Sequence, residues 1–417
     1  MNNSKLAIKK GANYAEILKT KISSTTIDIN NKTVKELSQG ELNLYSVRLL
    51  CKGSWGIAYS YKPEFPKLIA KAIKNARTLK QSIKIKNFEP VRQLIAAEYV
   101  DDPREIDIAD KKAMLLSLDR RRNYKKISSL NLIYNDKLIE HTFENSEGSS
   151  ITINDSRIGL LSVAYAKQGN RTEQFFEMLR KRAGYEHMAE AQKTVNESMN
   201  KAEMMLKAKH AKGGISKAIV DQYLGGVFAH EAVGHACEAD LVQNGGSIFA
   251  GKIGKKIGND NITIYDDGNI KEWGYAPVDS EGIKASHTIL INKGILENYL
   301  HSRETAATYH KSPTGNGRSQ DSSMRVIPRM TNTAINKGDS SFEEMLQSIK
   351  KGYYLKGSKG GQVDTAGGDF LFNAKEGYLI ENGKIKHMIK DVSLLGSILE
   401  TLNNIHLIAK DTKYDTG

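Results

Sequence analysis

The sequence has 417 residues, 39% of them hydrophobic and 26% charged, the balance of a soluble globular chain long enough for two or three domains. No apolar run approaches the about 20 residues needed to span a bilayer, and the first residues lack the apolar core of a secretory signal, so a cytoplasmic location without membrane contact is expected. Two distant cysteines, Cys51 and Cys237, suggest no disulfide framework, and the net charge of +13 comes from dispersed lysines rather than the clustered patch that nucleic-acid binding requires.

In chain order, residues 13–18 read as a short helix presenting Tyr14, Ile17 and Leu18 on one side, followed by a strand over 25–29. Alternation over 42–50 and the glycine-punctuated turn 52–56 predict a small meander ending in the strand 57–59. Pro66 opens a helix over 67–80, with Leu68, Ile69, Ala72, Ile73 and Ala76 at helical spacing. After a loop over 83–102, a helix is expected at 108–121. A hairpin turning at Asn135-Asp136 follows, then strands at 149–153 and 159–166. Residues 172–211 read as a long helical region ended by Gly213-Gly214. Beyond Asp240 glycine-rich loops alternate with strands at 262–265, 288–291 and 295–300, and a helix is expected at 342–351. The fold class is therefore α+β, with amino-terminal α/β meander units and covering helices, then a mostly β carboxy-terminal domain. The expected divisions are 1–105, 106–217 and 218–417.

The densest chemistry lies in FAHEAVGHACEAD, residues 228–240. A zinc hydrolase needs neutral imidazoles as ligands, an open coordination position, and a carboxylate that takes the proton of the attacking water; His230, His235 and Glu231 supply those groups. The familiar H-E-x-x-H spaces its histidines at i and i+4, whereas these stand at i and i+5. At about 100° per residue they would diverge by roughly 140° on a regular helix. A π-type turn stacks residues five apart, so a local widening is expected, with Gly234 absorbing the distortion.

Several long motifs share one resemblance: HEAVGHACEAD, DSEGIKASHTILINKGILENYLHSRETAATYHKSPTGNGR, PRMTNTAINKGD and GGQVDTAGGDFLFNAKEGYLIENGKI, with GANYAEI and VRLLCKGSWGIAYS nearer the start. Together they resemble the TldD/PmbA family of cytoplasmic zinc metallopeptidases, also labelled modulators of DNA gyrase, and the H-E-x-x-x-H marks the TldD branch. The resemblance implies Zn2+ held by His230 and His235, with Glu231 as general base. It also implies a third ligand, a cysteine in a segment following the region that matches IAKDTKYDTG; this sequence stops at Gly417 and does not include it. Glu238 stands either as a third ligand or as a carboxylate orienting an imidazole. His301, Arg303 and Asn316 fall in segments that the family places near the cleft, and Arg303 offers a fork for a substrate carboxylate.

The function expected from these readings is a zinc-dependent peptidase acting on unfolded peptides or small proteins held in extended form. It would work as a dimer with a PmbA/TldE-like subunit or a second copy. The alternative is a catalytically impaired or non-catalytic partner subunit of such a complex, which the missing cysteine favours and the intact His-Glu-His opposes.

Overall fold

The computed structural model describes residues 3–414. It is α+β, and sheets dominate at 41% strand against 24% helix. Helix α1 (Asn3–Lys9) leads into β1 (Tyr14–Asn30), β2 (Thr33–Cys51) and β3 (Ser54–Ser60), on which α2 (Phe65–Thr78) packs. Pro66 in its first turn and buried Leu68, Ile69, Ala72, Ile73 and Ala76 give α2 the expected apolar face. The helix lies so close to β3 that a Cβ on Gly56 would fall 1.9 Å from the Ala72 carbonyl oxygen. Strand β4 (Arg92–Ile95), helix α3 (Ile108–Leu118), strands β5 (Ile127–Asn145), β6 (Ser150–Gln168) and β7 (Arg171–Lys181), and helix α4 (Ala191–Met205) follow. A single seven-stranded sheet runs β3-β2-β1-β5-β6, with β4 and β7 paired to the far side of β6. The two meanders thus join through β1 and β5, in register from Glu16 opposite Asn145 to Asn30 opposite Asn131.

Several local expectations give way to tertiary contacts. Residues 13–18 begin β1 instead of forming a helix, because Glu16 must stand opposite Arg48 on β2, where the two buried groups pair at 2.6 Å. No hairpin turns at Asn135-Asp136, and β5 runs straight through. Asp136 is buried there, accepting from Lys111 Nζ at 2.6 Å and from the Tyr134 hydroxyl at 2.7 Å, so its charge is met inside the fold rather than by water at a turn. The long helical region expected over 172–211 is strand β7, a 3₁₀ segment and the 15-residue α4. Phe175 and Leu179 fit helical and strand spacing alike. The alternation is settled by Glu177 and Glu173, which pair with Lys375 and Lys390 of the carboxy-terminal region.

In that region a six-stranded sheet has the order Lys209–His210, Lys384–Lys390, Asp369–Glu381, Lys351–Asp364, Lys217–Val220, with Ser393–Ser397 also paired to Asp369–Glu381. A four-stranded sheet runs Ile295–Leu296, His287–Asn292, Ile264–Asp267, Thr333–Ile335. Only Ile295 and Leu296 of the strand expected over 295–300 are in that sheet, and the helix expected to reach Lys351 stops at Gln347. The histidine-bearing helix is packed against strands from both sheets, Thr333–Ile335 and Lys351–Asp364. Its Leu224, Phe228, Ala229, Ala232, Val233 and Ala236 share a core with Phe370, Phe372, Ile264, Leu290 and Met330. Burial on that apolar side holds the polar stripe His230, Glu231, His235 in place.

Candidate metal centre

The site helix begins at Asp221, whose carboxylate caps it by accepting from the Leu224 N–H at 2.9 Å and also takes the Gly357 N–H at 3.0 Å. This fastens the helix start to the neighbouring strand. Gln222–Phe228 is α-helical, Ala229–Gly234 is a π-turn, and His235–Cys237 closes as a 3₁₀ turn. The widening falls where the i, i+5 spacing requires it, with the His235 N–H donating to the His230 carbonyl. The two imidazole rings stand 5.1 Å apart, edge to face. One ligand atom from each of His230, Glu231 and His235 lies within 4.8 Å of the others. Gly234, expected to absorb the distortion, has ordinary helical angles of φ −58° and ψ −53°. What it provides is room: a Cβ there would sit 1.8 Å from the Met330 sulfur.

Beyond Cys237 the helix end is held by Leu300, whose N–H donates to the Cys237 carbonyl at 2.8 Å and whose carbonyl accepts from the Ala239 N–H at 3.1 Å. Cys237 itself faces the core, where burial pushes its thiol well up. Burial first, with the nearby guanidinium groups of Arg318 and Arg329 adding to it, brings His230 down to about 4, so its imidazole is neutral near pH 7, the form that coordinates metal. The Glu231 side chain is 37% exposed and its carboxylate lies 3.8 Å from His235 Nε2. Glu238 is fully buried behind His235: one oxygen is 3.0 Å from Nδ1, and the other accepts from Arg329. With Nδ1–H directed at Glu238, the lone pair of His235 Nε2 points toward the Glu231 side.

Models of PmbA/TldA metallopeptidase domain 1, central domain and C-terminal domain match residues 15–78, 101–206 and 213–417. A metalloprotease of Methanocaldococcus jannaschii is 37% identical over 97% of this chain and 91% of its own length. The chain belongs to the PmbA/TldD metallopeptidase family. Another metalloprotease, of Methanothermobacter thermautotrophicus, is 33% identical over 98% of this chain and 91% of the relative. A Saccharolobus solfataricus relative, 31% identical over 70% of this chain and 66% of its own length, is named a zinc metalloprotease TldD homolog. In fold, the chain matches TldE of Thermococcus kodakarensis with a TM-score of 0.80 at 19% identity, covering 98% of this chain and 94% of that one. A Thermotoga maritima protein named for modulation of a DNA gyrase gives 0.84 at 21%, with the same coverage. This PmbA/TldD protein is a metalloprotease, so a metal is implied. The residues fit one: two imidazoles and a carboxylate each offer a ligand atom within 4.8 Å of the others, a donor set of the kind that holds zinc.

The other residues singled out in this PmbA/TldD chain lie away from that cluster or behind it. Arg303 is 1% exposed; its guanidinium bonds Glu147 and the Lys86 carbonyl, both at 2.6 Å, and lies over the Tyr14 and Phe88 rings. His301 is buried beside Thr305, 3.3 Å from its hydroxyl, and against Tyr299 and Tyr309. Asn316 donates to Asp266 at 2.7 Å and to the Arg329 carbonyl at 3.0 Å, so it stands behind the arginine that holds Glu238. Arg329 and Met330 were not foreseen as site residues. Both sit in PRMTN, and no local spacing ties Arg329 to a glutamate 91 positions earlier.

Proposed function

We propose that this chain is a zinc-dependent peptidase that cleaves unfolded peptides or small proteins, with His230 and His235 holding the ion and Glu231 as the general base. The π-turn that brings both imidazoles and the carboxylate within 4.8 Å carries the reading. Zinc held by His230 and His235 would supply a Lewis acid that polarises the scissile carbonyl and acidifies water. Glu231, whose side chain is 37% exposed, takes the proton of the attacking water and returns it to the leaving amine. His235 is kept in one orientation by Glu238, and Glu238 by Arg329.

The fold match to TldE supports assembly with a TldE-like subunit or a second copy. No helix among the described residues is long and apolar enough to cross a membrane, and a cytoplasmic location is part of the proposal, as are the divisions at 105 and 217. The test is Glu231→Gln, which keeps the shape and removes the base. Peptide cleavage is expected to fall by about 100-fold or more while zinc content and melting temperature stay. Cleavage at the unmutated rate would remove Glu231 from the mechanism.

A further inference from the structure

We propose that Arg318 recognises a carboxylate of the peptide beside the scissile bond, supplied by a free C-terminus or by an acidic side chain. The inference rests on the peptidase reading above and names part of the substrate it takes. Arg318 belongs to the two-residue strand Gly317–Arg318, which pairs antiparallel with Ile327–Pro328. That hairpin is seated firmly: the Gly317 N–H donates to Asp279 at 2.8 Å, and a Cβ on Gly317 would fall 2.7 Å from Glu281 Oε2. The guanidinium of Arg318 makes one long hydrogen bond, 3.4 Å to the Met330 carbonyl. Met330 in turn packs its sulfur against Gly234 in the π-turn between the two histidines. The arginine is therefore tethered to the residue that packs on the metal-binding turn.

Among the described residues its charge is not met by an ion pair. The charged groups acting on it most strongly are Arg329 and Arg157, which repel it, and Glu238 and Asp266, which attract it. Both carboxylates are already engaged: Glu238 with His235 and Arg329, Asp266 with Thr331, Thr333 and Asn316. Arg157 is paired with Asp155 and lies over the Trp273 ring. Arg48, Arg182 and Arg303 likewise each face a carboxylate. Arg318 is exposed and makes no ion pair among the described residues. An unpaired guanidinium next to other arginines is held against repulsion, and its planar fork matches a carboxylate in two parallel hydrogen bonds. That fork favours an anionic substrate group over a neutral one.

The experiment uses the catalytically inert Glu231→Gln form and measures peptide binding by calorimetry, with zinc and with a chelator. One peptide is compared with a free or amidated C-terminus, and with Glu or Gln next to the cleaved bond. Arg318→Gln is expected to weaken binding of a carboxylate-bearing peptide by about tenfold or more and to leave the neutral, amidated peptide unchanged. Arg318→Lys, which keeps the charge and guards against a folding defect, should recover part of the loss. Whichever pair responds identifies the source of the carboxylate. Equal loss for charged and neutral peptides, or loss for neither, would overturn the assignment of Arg318 and leave the peptidase reading standing. Failure of every peptide to bind when Arg318 is intact would overturn both.

Discussion

At the scale of single residues, Glu238 shows how a buried charge is made tolerable and useful together. Burial raises its carboxyl group's proton affinity, and His235 and Arg329 oppose that, each engaging one oxygen. The carboxylate thereby fixes the His235 ring and is itself fixed from the far side. Replacing it by alanine frees the ring and leaves Arg329 without its partner. Carboxylates in this position typically contribute 10–100-fold in metal affinity, so Glu238→Ala should weaken zinc binding by about that factor, read by competition with a chelating dye. Glu238→Gln, which still accepts from Nδ1–H, should fall between. Unchanged affinity in both would mean that His235 is oriented by its packing alone. The sequence disclosed His230, Glu231 and His235 because they lie within six consecutive positions. It could not disclose Arg318 and Arg329, which are far from the histidines in sequence and reach them only through tertiary contacts, and Arg303 looked functional because an arginine's burial is invisible until its partners are known.

At the scale of elements, the site helix was legible in its periodicity and the π-turn in the mismatch between five residues and 3.6 per turn. The reason for Gly234 was not. Its backbone angles are those any residue adopts, and the constraint is the Met330 side chain 1.8 Å from where a Cβ would stand. Gly234→Ala should therefore push Met330 aside and destabilise the protein by about 1–3 kcal/mol. In a Met330→Ala background the same change should stabilise, because alanine exceeds glycine in helix preference by about 1 kcal/mol. Denaturant midpoints of the four proteins give the comparison, and an equal cost in both backgrounds would show that the Met330 contact is not what keeps a glycine there. The same limit explains β7 and β5. Apolar residues four apart fit helix and strand alike, and Asn-Asp reads as a turn unless a Lys111 waits behind it. Long-range pairs settled these elements, and a single sequence does not display them.

At the scale of the whole molecule, the amino-terminal sheet and the carboxy-terminal region are joined by a buried ionic chain. Arg48 donates twice to Glu16, at 2.6 and 2.8 Å, and once to Glu281 at 2.7 Å. Glu281 also accepts the Arg303 N–H at 2.6 Å, and Arg303 reaches Glu147. Arg48 thus bridges a carboxylate of the first sheet to Glu281 of the carboxy-terminal region. A buried ion pair adds little over an apolar replacement of the same shape, but removing one partner strands the other and costs about 3–5 kcal/mol. Arg48→Met retains the stem and strands two carboxylates, so the first denaturation transition should shift by at least that amount. Adding Glu16→Gln and Glu281→Gln removes the stranded charges and should restore much of the loss. If Arg48→Met alone costs less than about 1 kcal/mol, a value ordinary for exposed pairs, water or a proton must already reach these carboxylates, and the two regions are held together by their apolar contacts instead.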